Sequence, residues 1–165
     1  MSKFNLNNLN MLYLQQLPGH LITKAIKASF IDEPIWQVRD AVEVIKAIEQ
    51  TQFAITNVYV YAFKDGVPIV PSEAVYDFEV DELPLNYPWH QIIKKSSDMT
   101  MDFVKKFQFL ASGSPHGQEA AFSFWAFNKK VYRRFQKYSD KVEAEKKIMR
   151  NSLSQLPRPE GRGLL

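Results

Sequence analysis

The chain has 165 residues and no cysteine, but twelve Phe, seven Tyr and three Trp; that suits one domain with an apolar core and excludes disulfides, thiolate metal sites and a cysteine nucleophile. The formal net charge of +3 hides a division: residues 1–125 carry ten Lys/Arg against fourteen Asp/Glu, while residues 126–150 carry nine against three. An acidic body is followed by a basic C-terminal segment.

The start, Met1-Ser2-Lys3-Phe4-Asn5, lacks the apolar core and cleavage site of a secretory leader, and no run approaches the roughly 20 apolar residues of a spanning helix. A soluble, unprocessed cytoplasmic protein with no membrane contact is the expectation. Leu9, Leu12, Tyr13 and Leu17 then predict a short helix stopped by the turn dipeptide Pro18-Gly19. Leu21, Ile22, Ala25 and Ile26 repeat at helical spacing. Asp32-Glu33-Pro34 reads as a helix start, with a capping carboxylate and a proline in the first turn. That helix is expected to run to about Gln50, with an apolar stripe of Val38, Ala41, Val42, Ile45 and Ile48 laid on a sheet.

Phe53 to Phe63 is dense in β-branched and aromatic residues and ends at Lys64-Asp65-Gly66, a hairpin signal. Val67-Pro68-Ile69-Val70-Pro71 can return beside it, its prolines restricting it to an edge. Val75 to Asp81 alternates, with Tyr76, Phe78 and Val80 on one side and Asp77, Glu79 and Asp81 on the other; the first set suits a core and the second water. Leu83 to Pro88 is a connector in which Asn86 could cap the next helix. Trp89, Ile93, Thr100, Phe103, Phe107 and Leu110, with Ser96 on the same face, predict a second long helix. Ser112 to Gly117 is expected to be a flexible loop. Ala120 to Gln155 reads as a third long helix, apolar at first and charged after Asn128, with a disordered tail over 156–165. The expected fold class is α+β: a small antiparallel sheet of about three or more strands packed against long helices, as one domain over residues 1–150.

Chemical signatures are sparse. His20, His90 and His116 have no metal-ligand spacing, and there is no phosphate loop, dinucleotide fingerprint or nucleophile elbow. Asp98 and Asp102 share a helix face and could serve acid–base work with His90, but the nearby Lys94, Lys95, Lys105 and Lys106 favour ion pairing. No enzyme, cofactor or metal is expected. Two binding surfaces remain. One is the acidic row Glu73, Asp77, Glu79, Asp81 and Glu82, unbroken by any base, which either keeps a sheet face soluble or steers a cationic partner. The other is the basic, aromatic run containing Lys129, Lys130, Arg133, Arg134 and Lys137, a candidate nucleic-acid surface. There, Val131, Phe135 and Tyr138 on the opposite side read as a packing stripe.

Trp36 to Ile45, the strand Ile55 to Tyr61, the turn Asp65-Gly66, Tyr76-Asp77-Phe78, and Trp89 leading to Ser96, Phe103, Val104 and Phe107 together resemble immunity protein family forty of bacterial polymorphic toxin systems, over about residues 31–110. The resemblance implies a protein that binds and neutralises a cognate toxin domain made by the same cell. Occlusion of the toxin's active site or substrate groove is the mechanism it suggests, with the acidic row acting as a polyanion mimic if the toxin is a basic nuclease.

Overall fold

A computed structural model of the chain describes residues 9–28, 31–64, 67–69, 76–79, 87–107 and 119–154. In chain order these form a 3-10 helix (Leu9–Gln16), α1 (Gly19–Lys24), β1 (Ile26–Ala28), β2 (Ile31–Gln37), α2 (Val38–Glu49), β3 (Phe53–Lys64), β4 (Val67–Ile69), β5 (Tyr76–Glu79), α3 (Trp89–Lys106), β6 (Glu119–Asn128) and α4 (Lys129–Ser154). The fold is α+β. Its sheet is antiparallel throughout, in the order β1-β2-β6-β3-β4, with β5 also pairing β3. The residues divide into two units, Met1–Lys129 and Lys130–Leu165, the second consisting of α4 beyond its first residue among the described residues.

The sheet exists because β2, β3 and β6 each bury large side chains on the face toward α2 and α3. Trp36, Ile55, Val58, Val60, Phe122, Phe124 and Ala126 lie there in one cluster with Tyr13 and with Ala41, Val44, Ile45 and Ile48 of α2. Tyr13 is fully buried, and its hydroxyl donates to the Phe124 carbonyl at 3.0 Å, fixing the 3-10 helix to the middle strand. The Trp36 indole donates to the Leu21 carbonyl at 2.8 Å, giving a partner to a backbone acceptor near the end of the six-residue α1. Thr51 turns the chain from α2 into β3: its hydroxyl donates to the Ile48 carbonyl and accepts from the Phe53 amide.

Strand β3 keeps its apolar face only by changing parity. Phe53 and Ile55 face the core, then Val58 and Val60, and the switch from odd to even positions is a bulge at Thr56, where Ile55 and Asn57 oppose the consecutive residues Ala126 and Trp125. Side chains satisfy the bulge. Ser96 of α3, fully buried, accepts the Ile55 amide at 3.2 Å and donates to the Ile93 carbonyl at 2.9 Å, while the Thr56 hydroxyl reaches the Trp125 carbonyl. Ser97 and Thr100, one residue and one turn further along α3, bury hydroxyls with no hydrogen-bond partner among the described residues.

Several expectations need correction. Asp32-Glu33-Pro34 does not open a helix: it lies within β2, and α2 begins at Val38 with Gln37 as its N-cap residue. An extended backbone buries Ile35 and Trp36 on opposite faces of the sheet, both completely, which two consecutive residues of a surface helix could not do; proline's fixed φ is compatible with that conformation. Residues 119–128 are not the start of a long helix but a strand between β2 and β3, and only from Lys129 does the chain become helical. A central strand is covered on both faces and so reads as an unbroken apolar run. The short helix expected before Pro18-Gly19 is the 3-10 helix Leu9–Gln16, but α1 then starts at Gly19 with Pro18 as its N-cap residue, and Ile26 belongs to β1. In α2 Ala41, Ile45 and Ile48 are buried as expected and Val44 joins them, whereas Val42 is half-buried and Val38 is 40% exposed. Helix α3 starts at Trp89 behind Pro88, so Asn86 is not its N-cap residue. The turn Asp65-Gly66, Leu110, the loop 112–117 and the tail 156–165 lie outside the described residues.

Candidate functional site

On the face opposite α2 and α3, Ile35, Tyr61 and Ala121 form a smaller buried cluster with Ile26, Ile31 and Tyr59 packed against it. The sheet curls so that β1 and β4, the ends of the strand path, approach each other. Alternation along β2 puts Glu33 on this face between Ile31 and Ile35, and alternation along β6 puts Ser123 and Trp125 beside Ala121.

Glu33 is held by neutral donors. Ser123 Oγ donates to its Oε2 at 3.0 Å and the Trp125 indole Nε1 to its Oε1 at 3.0 Å. Among the described residues no Lys, Arg or His comes within ion-pairing distance of it. Burial pushes the Tyr61 phenol well above its ordinary pKa, and the charges of Glu33 and Tyr59 add to the shift. Tyr13 is raised too, by burial first and then by Glu33. The ring of Tyr59 stands 4.9 Å from that of Trp125 at 58°, and both residues are half-buried.

The predicted acidic row meets this face at two positions. Along β3, Tyr59 pairs with Asp77 and Asn57 with Glu79, whereas Val58 pairs with Phe78 and Val60 with Tyr76. Directly opposed residues of an antiparallel pair share a face, so positions 77 and 79 are in register with the face of Glu33 and Tyr59, and positions 76 and 78 with the opposite one. Glu33 is separated from β5 by β6 and β3, and three strand spacings amount to about 14 Å. Carboxylate-bearing positions therefore mark both ends of a strip four strands wide, with Ser123, Trp125, Asn57 and Tyr59 between them. Glu73, Asp81 and Glu82 lie outside the described residues.

The basic set occupies α4, where Lys129, Lys130, Arg133, Arg134 and Lys137 are all exposed. At 100° per residue these five span an arc of about 140° on one side of the helix. Of the opposite stripe, Val131 is buried but Tyr138 is 69% exposed, so Tyr138 is no packing residue; the Phe135 side chain lies outside the described residues. Asp98 pairs with Lys94 at 2.6 Å and Asp102 with Lys106 at 2.7 Å, all four well exposed. His20 and His90 are exposed, and no metal-competent cluster occurs among the described residues.

Sequence reasoning missed Glu33, Tyr59, Tyr61, Ser123 and Trp125. The signal was period-two patterning in Ile31-x-Glu33-x-Ile35 and in Phe122-x-Phe124-x-Ala126, each overridden by a helical reading. Comparison with known proteins matches the chain to no family model, no curated protein and no solved structure. No helix among the described residues is long and apolar enough to cross a membrane.

Proposed function

We propose that this protein is a binding protein and not an enzyme, and that it acts in the cytoplasm as a toxin immunity protein, capturing a cationic toxin domain on the sheet face of Glu33, Tyr59 and Trp125. The register of β5 on β3 carries the reading, because it aligns positions 77 and 79 with the face on which Glu33 has no cationic partner among the described residues. Like charges gathered on one surface repel, and a basic partner relieves that repulsion while the field speeds its approach. The resemblance of the aromatic and apolar spacing to that of immunity protein family forty supports this identity for the partner, and the segments that carry it fall on the end of β2, α2, β3, β5 and α3. Occlusion of the toxin's active site or substrate groove would complete the mechanism without catalysis.

Co-expression tests it. The variable C-terminal domain of the secreted protein encoded beside this gene should arrest growth alone and spare cells that also make this chain. Continued arrest, or no toxic domain there, would refute the proposal.

A second reading, nucleic-acid binding through α4, is favoured by the exposed one-sided arc of Lys129, Lys130, Arg133, Arg134 and Lys137 with no acidic residue before Asp140. It requires salt-sensitive binding to DNA or RNA that is lost on replacing Arg133 and Arg134 with alanine.

A further inference from the structure

We infer that Tyr138 is a stacking platform on which α4 holds a base of single-stranded nucleic acid, with Arg134 and Lys141 taking the phosphates on either side; the inference rests on the reading of α4 as a nucleic-acid surface. Tyr138 is 69% exposed. At 100° per residue it lies about 40° from Arg134 and about 60° from Lys141 around the helix. Residues three and four apart are neighbours on a helix surface, so the three form one row along the axis, with Arg134 about 6 Å before the ring and Lys141 about 4.5 Å after it. Lys130, Arg133 and Lys137 broaden the charge to one side, all exposed and with no ion pair among the described residues.

A single strand suits this row better than a duplex. Every unpaired base offers a π-face to an exposed ring, and stacking then adds to the phosphate contacts. In a duplex the base faces are already covered, and the tyrosine meets only base edges and backbone. The surface also has an end. Glu145, one turn beyond Lys141, pairs with it at 4.0 Å, both side chains exposed; such a pair is weak and yields Lys141 to a phosphate, whereas Glu145 itself repels one. Asp140 is exposed within the same length, but it lies about 160° around the helix from Tyr138. The cationic surface from Lys130 to Lys141 is therefore about 17 Å long, with the ring at its edge.

The test follows the fluorescence anisotropy of a labelled oligo(dT) of about 12 nucleotides with the full chain at low salt, beside its duplex with oligo(dA) of the same length. The single strand should bind about tenfold more tightly than the duplex. Tyr138→Ala should weaken single-strand binding by about tenfold, the worth of one stacked base, and leave the slope of log affinity against log salt unchanged, since no charge is lost. Tyr138→Phe keeps the ring and should bind as wild type does. Arg134→Gln should lower that slope by about 0.7 for one phosphate released. Circular dichroism verifies that each variant keeps the fold. Equal affinity for strand and duplex, or an unchanged affinity in Tyr138→Ala while binding stays salt-sensitive, would overturn the platform and leave nucleic-acid binding by α4 standing. Binding to neither, or only to vesicles containing phosphatidylserine, would overturn both.

Discussion

Replacing Ser96 with alanine removes the hydrogen-bond partner that the buried Ile55 amide has at the β3 bulge among the described residues, and the adjacent Ser97 provides a matched control on the same helix. Ser96 is fully buried, accepts from Ile55 N–H and donates to the Ile93 carbonyl; Ser97 is just as buried and has no partner among the described residues. Leaving a buried N–H unpaired costs about 1–3 kcal/mol, and alanine's better helix propensity returns ~0.5 kcal/mol. Ser96→Ala should therefore destabilise by about 1–2 kcal/mol. The same change at Ser97 removes an unsatisfied hydroxyl while gaining the same propensity, and should stabilise by about 0.5–1 kcal/mol. Urea unfolding followed by tryptophan fluorescence measures both, with an unchanged m-value showing that stability alone has moved. Hydrogen exchange at the Ile55 amide should accelerate in Ser96→Ala only. Equal shifts of the same sign in the two variants would refute the assignment of Ser96 to the bulge.

Thr100→Val, which removes the other unpartnered buried hydroxyl of α3, should raise stability by about 1 kcal/mol in the same urea assay. Trp36→Phe leaves the Leu21 carbonyl without its indole donor and opens a void in the main core; a loss of about 2–3 kcal/mol is expected by thermal or urea unfolding. Alkaline pH should destabilise the fold through Tyr13 and Tyr61, whose pKa values are raised in the native state. Each raised phenol contributes stability that is intact below the unfolded-state pKa of about 10 and is lost above it, at about 1.4 kcal/mol per pH unit until the folded form also ionises. Tyr61→Phe should remove about half of that slope in pH-dependent unfolding, given one of two such groups deleted; an unchanged slope would exclude Tyr61 as a source.

Where one face of an element meets water, its pattern was legible in the sequence. Strand β3 follows from its run of β-branched and aromatic residues, α2 from the spacing of Ala41, Ile45 and Ile48, and the alternation of Tyr76 to Glu79 agrees with the pairing of Phe78 with Val58 and of Asp77 with Tyr59. The pattern failed where both faces are covered. Strand β6 buries Ala121 and Ser123 on one side and Phe122 and Phe124 on the other, so its composition resembles that of a buried helix. Glu33 was hidden by a local signal: a carboxylate before proline favours a helix start, and only pairing between β2 and β6, distant in sequence, shows that its partners are Ser123 and Trp125. The bulge at Thr56 had the same character, since the parity change in β3 has meaning only beside β6 and Ser96. Of the predicted acidic row, Asp77 and Glu79 can be assigned to a face by register, and Glu33, unforeseen, completes the strip.

The most direct test of the account is the association rate of this chain with the proposed cognate toxin domain, measured by stopped flow over a range of salt concentrations for wild type and for Asp77→Lys with Glu79→Lys. The account predicts slower association in the variant and a flatter dependence on salt, because electrostatic steering acts mainly on the on-rate and is screened by ions. Association at the wild-type rate, with the wild-type salt dependence, would contradict the assignment of this sheet face to a cationic partner.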